Sequence, residues 1–240
     1  MALPKLNNTP KYPVVIPSTK QEVQIRPFVV KEEKILLIAM ESQDPRQIAN
    51  SILDTVTSCI IEDVDDRTLT SYDVEYLFLQ IRSKSVGSMS KVMMKCKECE
   101  SDTEVVVNID EIKIDGEVLP KKIKITDDIV LEMKQPTYRD IAKNENVVGQ
   151  GNNMDRVFAL IHESIDAVQT EDERISFSDV PHGEAIEFLE SMTTEQFTKI
   201  REYMEKMPSI KHTVDWDCEH CGTHNLSLIH ISEPTRQPCI

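Results

Sequence analysis

Four of the six cysteines in this 240-residue chain fall into two matched pairs. Cys96-Lys-Glu-Cys99 is one pair, and Cys218-Glu-His-Cys221 is the other, followed at once by Gly222. A gap of two residues lets both thiols of a pair face one metal ion from a single tight turn. A glycine after the pair lets the backbone curl beneath the sulfurs. Each pair follows a strand-like run: Val92-Met93-Met94 before the first, Val214 and Trp216 in alternation before the second. Two such turns supply four thiolates, the donor set of a tetrahedral structural zinc at about 2.3 Å per sulfur. The spacing therefore predicts one structural zinc ion per chain, held by Cys96, Cys99, Cys218 and Cys221. A four-thiolate iron–sulfur cluster is the alternative occupant. A redox pair would need to open a helix in a βαβ unit, and neither pair does. Four protein ligands leave no open coordination position, which argues against catalytic zinc.

The remaining candidates for chemistry are weaker. His220 and His224 lie beside the second pair, and with four thiols present they read as exposed bystanders. His162 and His182 are isolated in sequence, and no serine, cysteine and acid pattern supports a catalytic triad. Cys59 recurs with Ile48, Ile52, Val56 and Ile60 on one apolar helical stripe and reads as a small core residue. No catalytic site emerges, and no enzyme is expected.

Composition narrows the partners. The formal net charge of -15 repels a phosphate backbone, and the basic residues are scattered, with Lys121-Lys122 the nearest thing to a cluster. Nucleic acid is not an expected partner, and a zinc-ribbon nucleic-acid binder is the less favoured reading. No run of about 18 apolar residues occurs, and Met1 to Pro13 has no apolar signal core, so no membrane partner is expected. The chain reads as soluble and made in a reducing cytoplasm, where disulfides are rare and paired cysteines point to metal.

The elements that must position the thiols can be read from periodicity. Tyr12 to Arg26 reads as two short strands, with Val23 and Ile25 alternating. Val30 to Ser42 reads as a helix, Asp44-Pro45 as the capped start of a second, and Thr70 to Ser83 as a third, with a capping-box pattern at Thr70 and Asp73. Lys91 to Lys134 changes to strands, through Val105, Val107 and Ile109, then Ile123 and Ile125, then Ile129, Leu131 and Met133. Pro136 to Pro208 returns to helix: a capping box at Thr137 and Asp140, a helix over Asp155 to Val168, a short one over Glu184 to Met192, and a last one opened by Thr193 and Gln196. The fold class is α+β, with short strands and a four-cysteine zinc-ribbon-like element joined to a helical body.

The two cysteine pairs are separated by 118 residues, Glu100 to Asp217, so a shared ion closes that whole segment into a loop. This predicts one integrated domain over residues 1–225: a hairpin and helices in 1–90, strands with the first knuckle in 91–135, the helical segment in 136–208 and the second knuckle in 209–225. Leu226 to Arg236 reads LSLIHISEPTR, which resembles one reading frame of the transposase adapter used in sequencing libraries. Residues 226–240 are accordingly expected to be a non-native tail. Leu226, Leu228 and Ile229 can imitate the first residues of a returning strand. Glu233 to Ile240 is expected to be unpaired and exposed, with Cys239 away from the metal.

Several longer blocks resemble the baseplate hub proteins of T4-like phages with contractile tails. They are Ile16-Pro-Ser-Thr19, Ile25-Arg-Pro-Phe-Val-Val-Lys-Glu-Glu-Lys-Ile35, Ala39-Met-Glu-Ser42, and the run from Asp73 to Gly87 that leads to the first cysteine pair. The resemblance resumes at Phe188-Leu-Glu-Ser191 and Met207-Pro208 and runs through the second pair, covering Pro13 to Asn225. It departs at the Asn- and Gly-rich stretch Asn144 to Asn153 and at the tail. The resemblance implies a structural or assembly role in the hub, with other baseplate hub proteins as partners and no reaction. It implies a place in the tail baseplate of the virion, with assembly in the host cytoplasm. A hub assembly factor absent from the mature particle is the alternative.

Overall fold

Alternation at Val14, Val23 and Ile25 builds the first hairpin, β1 (Tyr12–Val15) against β2 (Glu22–Ile25), with Val14 opposite Val23. The computed structural model describes residues 9–117, 119–144, 147 and 153–230. Within them lie seven α-helices and eleven strands in small sheets, an α+β fold. The chain separates into two compact units.

The first unit comprises residues 1–66, 72–114 and 210–240. Helix α1 (Val30–Ser42) opens where the Glu32 carboxylate reaches back to accept the Val29 N–H at 2.8 Å, while Arg26 donates to its other oxygen at 3.0 Å. Asp44 caps α2 (Pro45–Cys59) by accepting the Arg46 N–H, and Pro45 occupies the first helical position, where a missing N–H costs nothing. Helix α3 (Ser71–Val86) follows. Its Asp73 turns its carboxylate to Ser18, accepting the backbone N–H at 2.8 Å and the hydroxyl at 2.6 Å, which ties the β1–β2 turn to the helix. Ile16, Val23, Ile25, Leu36, Val56, Cys59, Leu77 and Ile81 are all buried.

Two further hairpins complete this unit. β3 (Met89–Lys95) pairs antiparallel with β4 (Asp102–Asn108), and β10 (Ser209–Asp217) pairs antiparallel with β11 (His224–His230). A short strand β5 (Lys113–Asp115) flanks β10, giving the order β11-β10-β5. Tyr72, Leu79, Val107, Ile109, Ile112, Ile210, Val214 and Trp216 form one buried cluster, so α3 and both hairpins share a core. The expected foreign residues Leu226 to His230 continue β11, with Leu226 opposite Asp215 and His230 opposite Lys211. The expectations for Glu233 to Ile240, Cys239 included, lie outside the described residues. So does most of the Asn144 to Asn153 stretch.

The second unit comprises residues 67–71 and 115–209. Its centre is an antiparallel sheet in the order β6 (Lys122–Lys124), β7 (Val130–Met133), β8 (Ile165–Gln169), β9 (Arg174–Ser176). Helices α4 (Tyr138–Lys143), α5 (Asn153–Ser164), α6 (His182–Glu190) and α7 (Thr194–Lys206) complete it. Leu131, Met133, Ile161, Ile165, Phe177, Leu189 and Ile200 meet in one core. The cap read at Thr137 is present on one side, with the Asp140 carboxylate taking the Thr137 hydroxyl instead of its backbone N–H, and the full reciprocal box forms at Thr193 and Gln196. Thr137 Oγ1 accepts the Asp140 N–H, and Thr193 and Gln196 exchange side-chain bonds with each other's backbone N–H.

The helix expected over Asp155 to Val168 ends early. It stops at Ser164, and Ile165 to Gln169 becomes the central strand β8, with Leu131 opposite Val168 and Met133 opposite Ile165. Ile161, Ile165 and Val168 fit a helical stripe, which is why periodicity alone favours helix. The unpaired edge of β7 decides otherwise, because a buried strand must satisfy its backbone groups with a neighbour.

The two legs of chain that lead into and out of the long 115–209 segment run side by side. Glu117 N–H donates to Lys206 O at 3.0 Å. Gly116, at φ 132, lies against Pro208, where an added Cβ would be 2.5 Å from the Pro208 Cα. Only glycine fits there, on both sterics and dihedral.

Candidate metal centre

Each cysteine pair is the tip of a hairpin, and the two tips share one backbone plan. In the first, Lys95 pairs with Asp102 and six residues close the loop; in the second, Asp217 pairs with His224 around six residues. The Cys96 N–H donates to Ser101 O at 2.9 Å and the Cys218 N–H donates to Thr223 O at 2.9 Å. One residue past each pair the chain turns back: Glu100 N–H donates to Cys96 O at 3.1 Å, and Gly222 N–H to Cys218 O at 2.8 Å. Both turning residues are left-handed, at φ 57 for Glu100 and φ 70 for Gly222.

These turns bring the four thiols together. The Cys96 and Cys221 sulfurs are 3.7 Å apart, those of Cys99 and Cys218 are 3.5 Å apart, and all four lie within 4.8 Å of one another. A tetrahedron with sulfurs about 2.3 Å from a central ion has edges of about 3.8 Å, so the cluster has the dimensions for one ion. All four residues predicted from spacing are thus gathered and could hold a metal. Cys96 and Cys218, the first of each pair, are buried, whereas Cys99 and Cys221 are exposed.

The surroundings favour thiolates at the buried positions. The backbone N–H groups of Cys99 and Glu98 bring the Cys96 thiol down to about 6, helped by the Asn225 and Cys221 side chains. Cys218 is lowered by the equivalent N–H groups of Cys221 and His220. Cys59 contrasts with them, since burial inside α2 pushes its thiol up to about 11. That is the behaviour of an inert core cysteine.

The other sequence candidates stay apart from the centre. His220 is exposed, and His224, also exposed, bonds Asp217 Oδ1 through Nδ1 at 2.9 Å. The rings of His162 and His182, far apart in sequence, meet edge-on at 5.4 Å in the second unit. Among the described residues the four cysteines are the one cluster of metal-ligating side chains. Two buried residues near the sulfurs, Thr103 and Asn225, were not read from the sequence. Their signal was present: each is a polar residue four positions past the second cysteine of its pair.

An α+β chain with four thiols gathered at two hairpin tips defines a paired-knuckle protein. Its affiliation is more specific. The sequence model of the T4 bacteriophage base plate protein family matches residues 9–233, nearly the whole chain, and the chain belongs to that family. No curated protein and no solved structure matches it. The family places the protein in a phage baseplate among other baseplate proteins. Among the described residues, no helix is long and apolar enough to cross a membrane.

Proposed function

We propose that the protein is a non-enzymatic structural or assembly component of the hub at the centre of a contractile-tail baseplate, with one structural zinc per chain. The family match over residues 9–233 carries the baseplate part of this reading. The hub part draws on the sequence blocks from Ile16 to Gly87 and around the cysteine pairs. The zinc part draws on four sulfurs within 4.8 Å of one another, all supplied by the protein. Such a closed site contributes folding energy rather than an open coordination position. Exposed apolar side chains on α1, among them Val30, Leu37 and Ile38, suit a protein that buries surface on assembly partners.

Mass spectrometry of purified virions and of isolated hub tests the role. A resident hub component is found in both at fixed ratio to the other hub chains. A chain required for hub assembly but missing from virions is an assembly factor. Elemental analysis of the purified protein tests the metal, with one zinc per chain expected. A full equivalent of iron would assign the site to an iron–sulfur cluster instead.

A further inference from the structure

The two hairpins exchange hydrogen bonds as well as sulfurs. Thr103 lies four residues past Cys99, and Asn225 lies four residues past Cys221. Thr103 Oγ1 points to the Cys218 sulfur at 3.9 Å, and Asn225 Nδ2 points to the Cys96 sulfur at 3.5 Å. The same position in each hairpin therefore donates to the first sulfur of the other. Thr103 and Asn225 are 3% and 2% exposed, and the cysteines they face, Cys218 and Cys96, are 3% and 1% exposed, so water has little access to these pairs. The outer sulfurs, Cys99 and Cys221, reach the surface, where water can solvate them.

The Asn225 amide has one consistent orientation. The Lys97 N–H can only donate, and it meets Asn225 Oδ1 at 3.1 Å. That turns Nδ2 toward Cys96, and Nδ2 also donates to Thr223 O at 2.8 Å. Asn225 thus joins the first knuckle to the second through two bonds, to Lys97 and Cys96, and is anchored in its own hairpin by the third.

We propose that Thr103 and Asn225 are reciprocal positioning residues of the metal centre, each holding the buried thiolate of the opposite hairpin. The assignment rests on the zinc reading and deepens it. Four thiolates around a dication leave excess negative charge, and charge shut away from water needs donors nearby. Each hairpin then contributes to retention at both ends of the site, so the pairs hold the ion jointly. Asn225, with the shorter bond, has the larger share.

The test uses the full chain, with zinc and then with cobalt(II) as a spectroscopic substitute. Asn225→Asp keeps the acceptor for Lys97 and removes the donor. Thr103→Val removes the hydroxyl at constant shape, and Thr103→Ser restores it. Zinc transfer to a chromophoric chelator should be roughly 10- to 100-fold faster in Asn225→Asp, the range seen when a metal ligand loses an outer partner. Thr103→Val should be faster by a smaller factor, and Thr103→Ser should match the parent. The sulfur-to-cobalt charge-transfer band should move to lower energy in both donor-less variants, a change that general destabilisation does not produce. If Asn225→Asp does not fold, the Thr103 pair carries the test alone. Parent-like release and an unmoved band in the folded donor-less variants overturn the assignment and leave the zinc reading intact. A parent chain that takes up neither zinc nor cobalt overturns the zinc reading, and the assignment with it.

Discussion

The two knuckles have the same hydrogen-bonded backbone and different residues at its most demanding position. Gly222 adopts φ 70 in the second and Glu100 adopts φ 57 in the first. For glycine this conformation is free of strain, whereas a residue with a Cβ gives up roughly 1–2 kcal/mol there. The first knuckle therefore carries a local cost that the second avoids, for the same sulfur geometry. The backbone plan follows from what four converging thiols require, and the local preference of the turning residue is secondary.

Substitutions can break this equivalence or sharpen it. The largest effect is expected from removing a ligand. Cys96→Ser and Cys218→Ser, matched positions of the two knuckles, should each lose the metal, and with it binding energy on the order of ten kcal/mol. Elemental analysis and thermal melting check this, and full metal retention in either variant would show that its knuckle is dispensable.

Gly222→Ala should cost about 1–2 kcal/mol through the backbone alone. An added Cβ at Gly222 meets nothing within 4 Å, so a larger loss in a melting experiment would mean that more than the dihedral is at stake. Glu100→Gly should do the reverse. Strain is relieved, the unfolded chain gains freedom, and the net is a stabilisation below about 1 kcal/mol. An unchanged or lowered melting temperature would indicate that the Glu100 side chain contributes something glycine lacks.

The smallest effect concerns pH in the metal-free protein. Cys96 is lowered to about 6, below its ordinary value, so its contribution to stability is present at alkaline pH and is lost as pH falls through about 6. Cys59 has the opposite sign: raised to about 11, it favours the fold at neutral pH and loses that contribution as pH climbs from the ordinary thiol range toward 11. Denaturant midpoints of Cys96→Ser and Cys59→Ala against pH should separate the two. An acid-side loss of stability in Cys96→Ser as steep as in the parent would show that another group is responsible.

Much of this architecture was legible because its signals are local. Asp44 before Pro45, Thr193 three residues before Gln196, and two thiols separated by two residues all act within one turn of chain. The strand at Ile165 was not legible because Ile161, Ile165 and Val168 suit either period, and the deciding partner, β7, lies some 30 residues earlier in sequence. Gly222 announced its turn, while Glu100 gave no sign of a left-handed backbone. Thr103 and Asn225 escaped for a related reason: their matched position past each pair is visible in the sequence, but each acts on a sulfur in the other hairpin, which that position alone does not reveal.

The spacing of the pairs also orders events during synthesis. The first two thiols leave the ribosome long before the second two, because 118 residues separate them. Through that interval the nascent chain can offer an ion two sulfurs, too few to complete a tetrahedral site. The contacts that finish the centre are among the longest in sequence that the fold makes, and such contacts form late. A chain broken off anywhere before residue 218 carries one knuckle and cannot close the centre, so a filled site marks a polypeptide translated through Cys221.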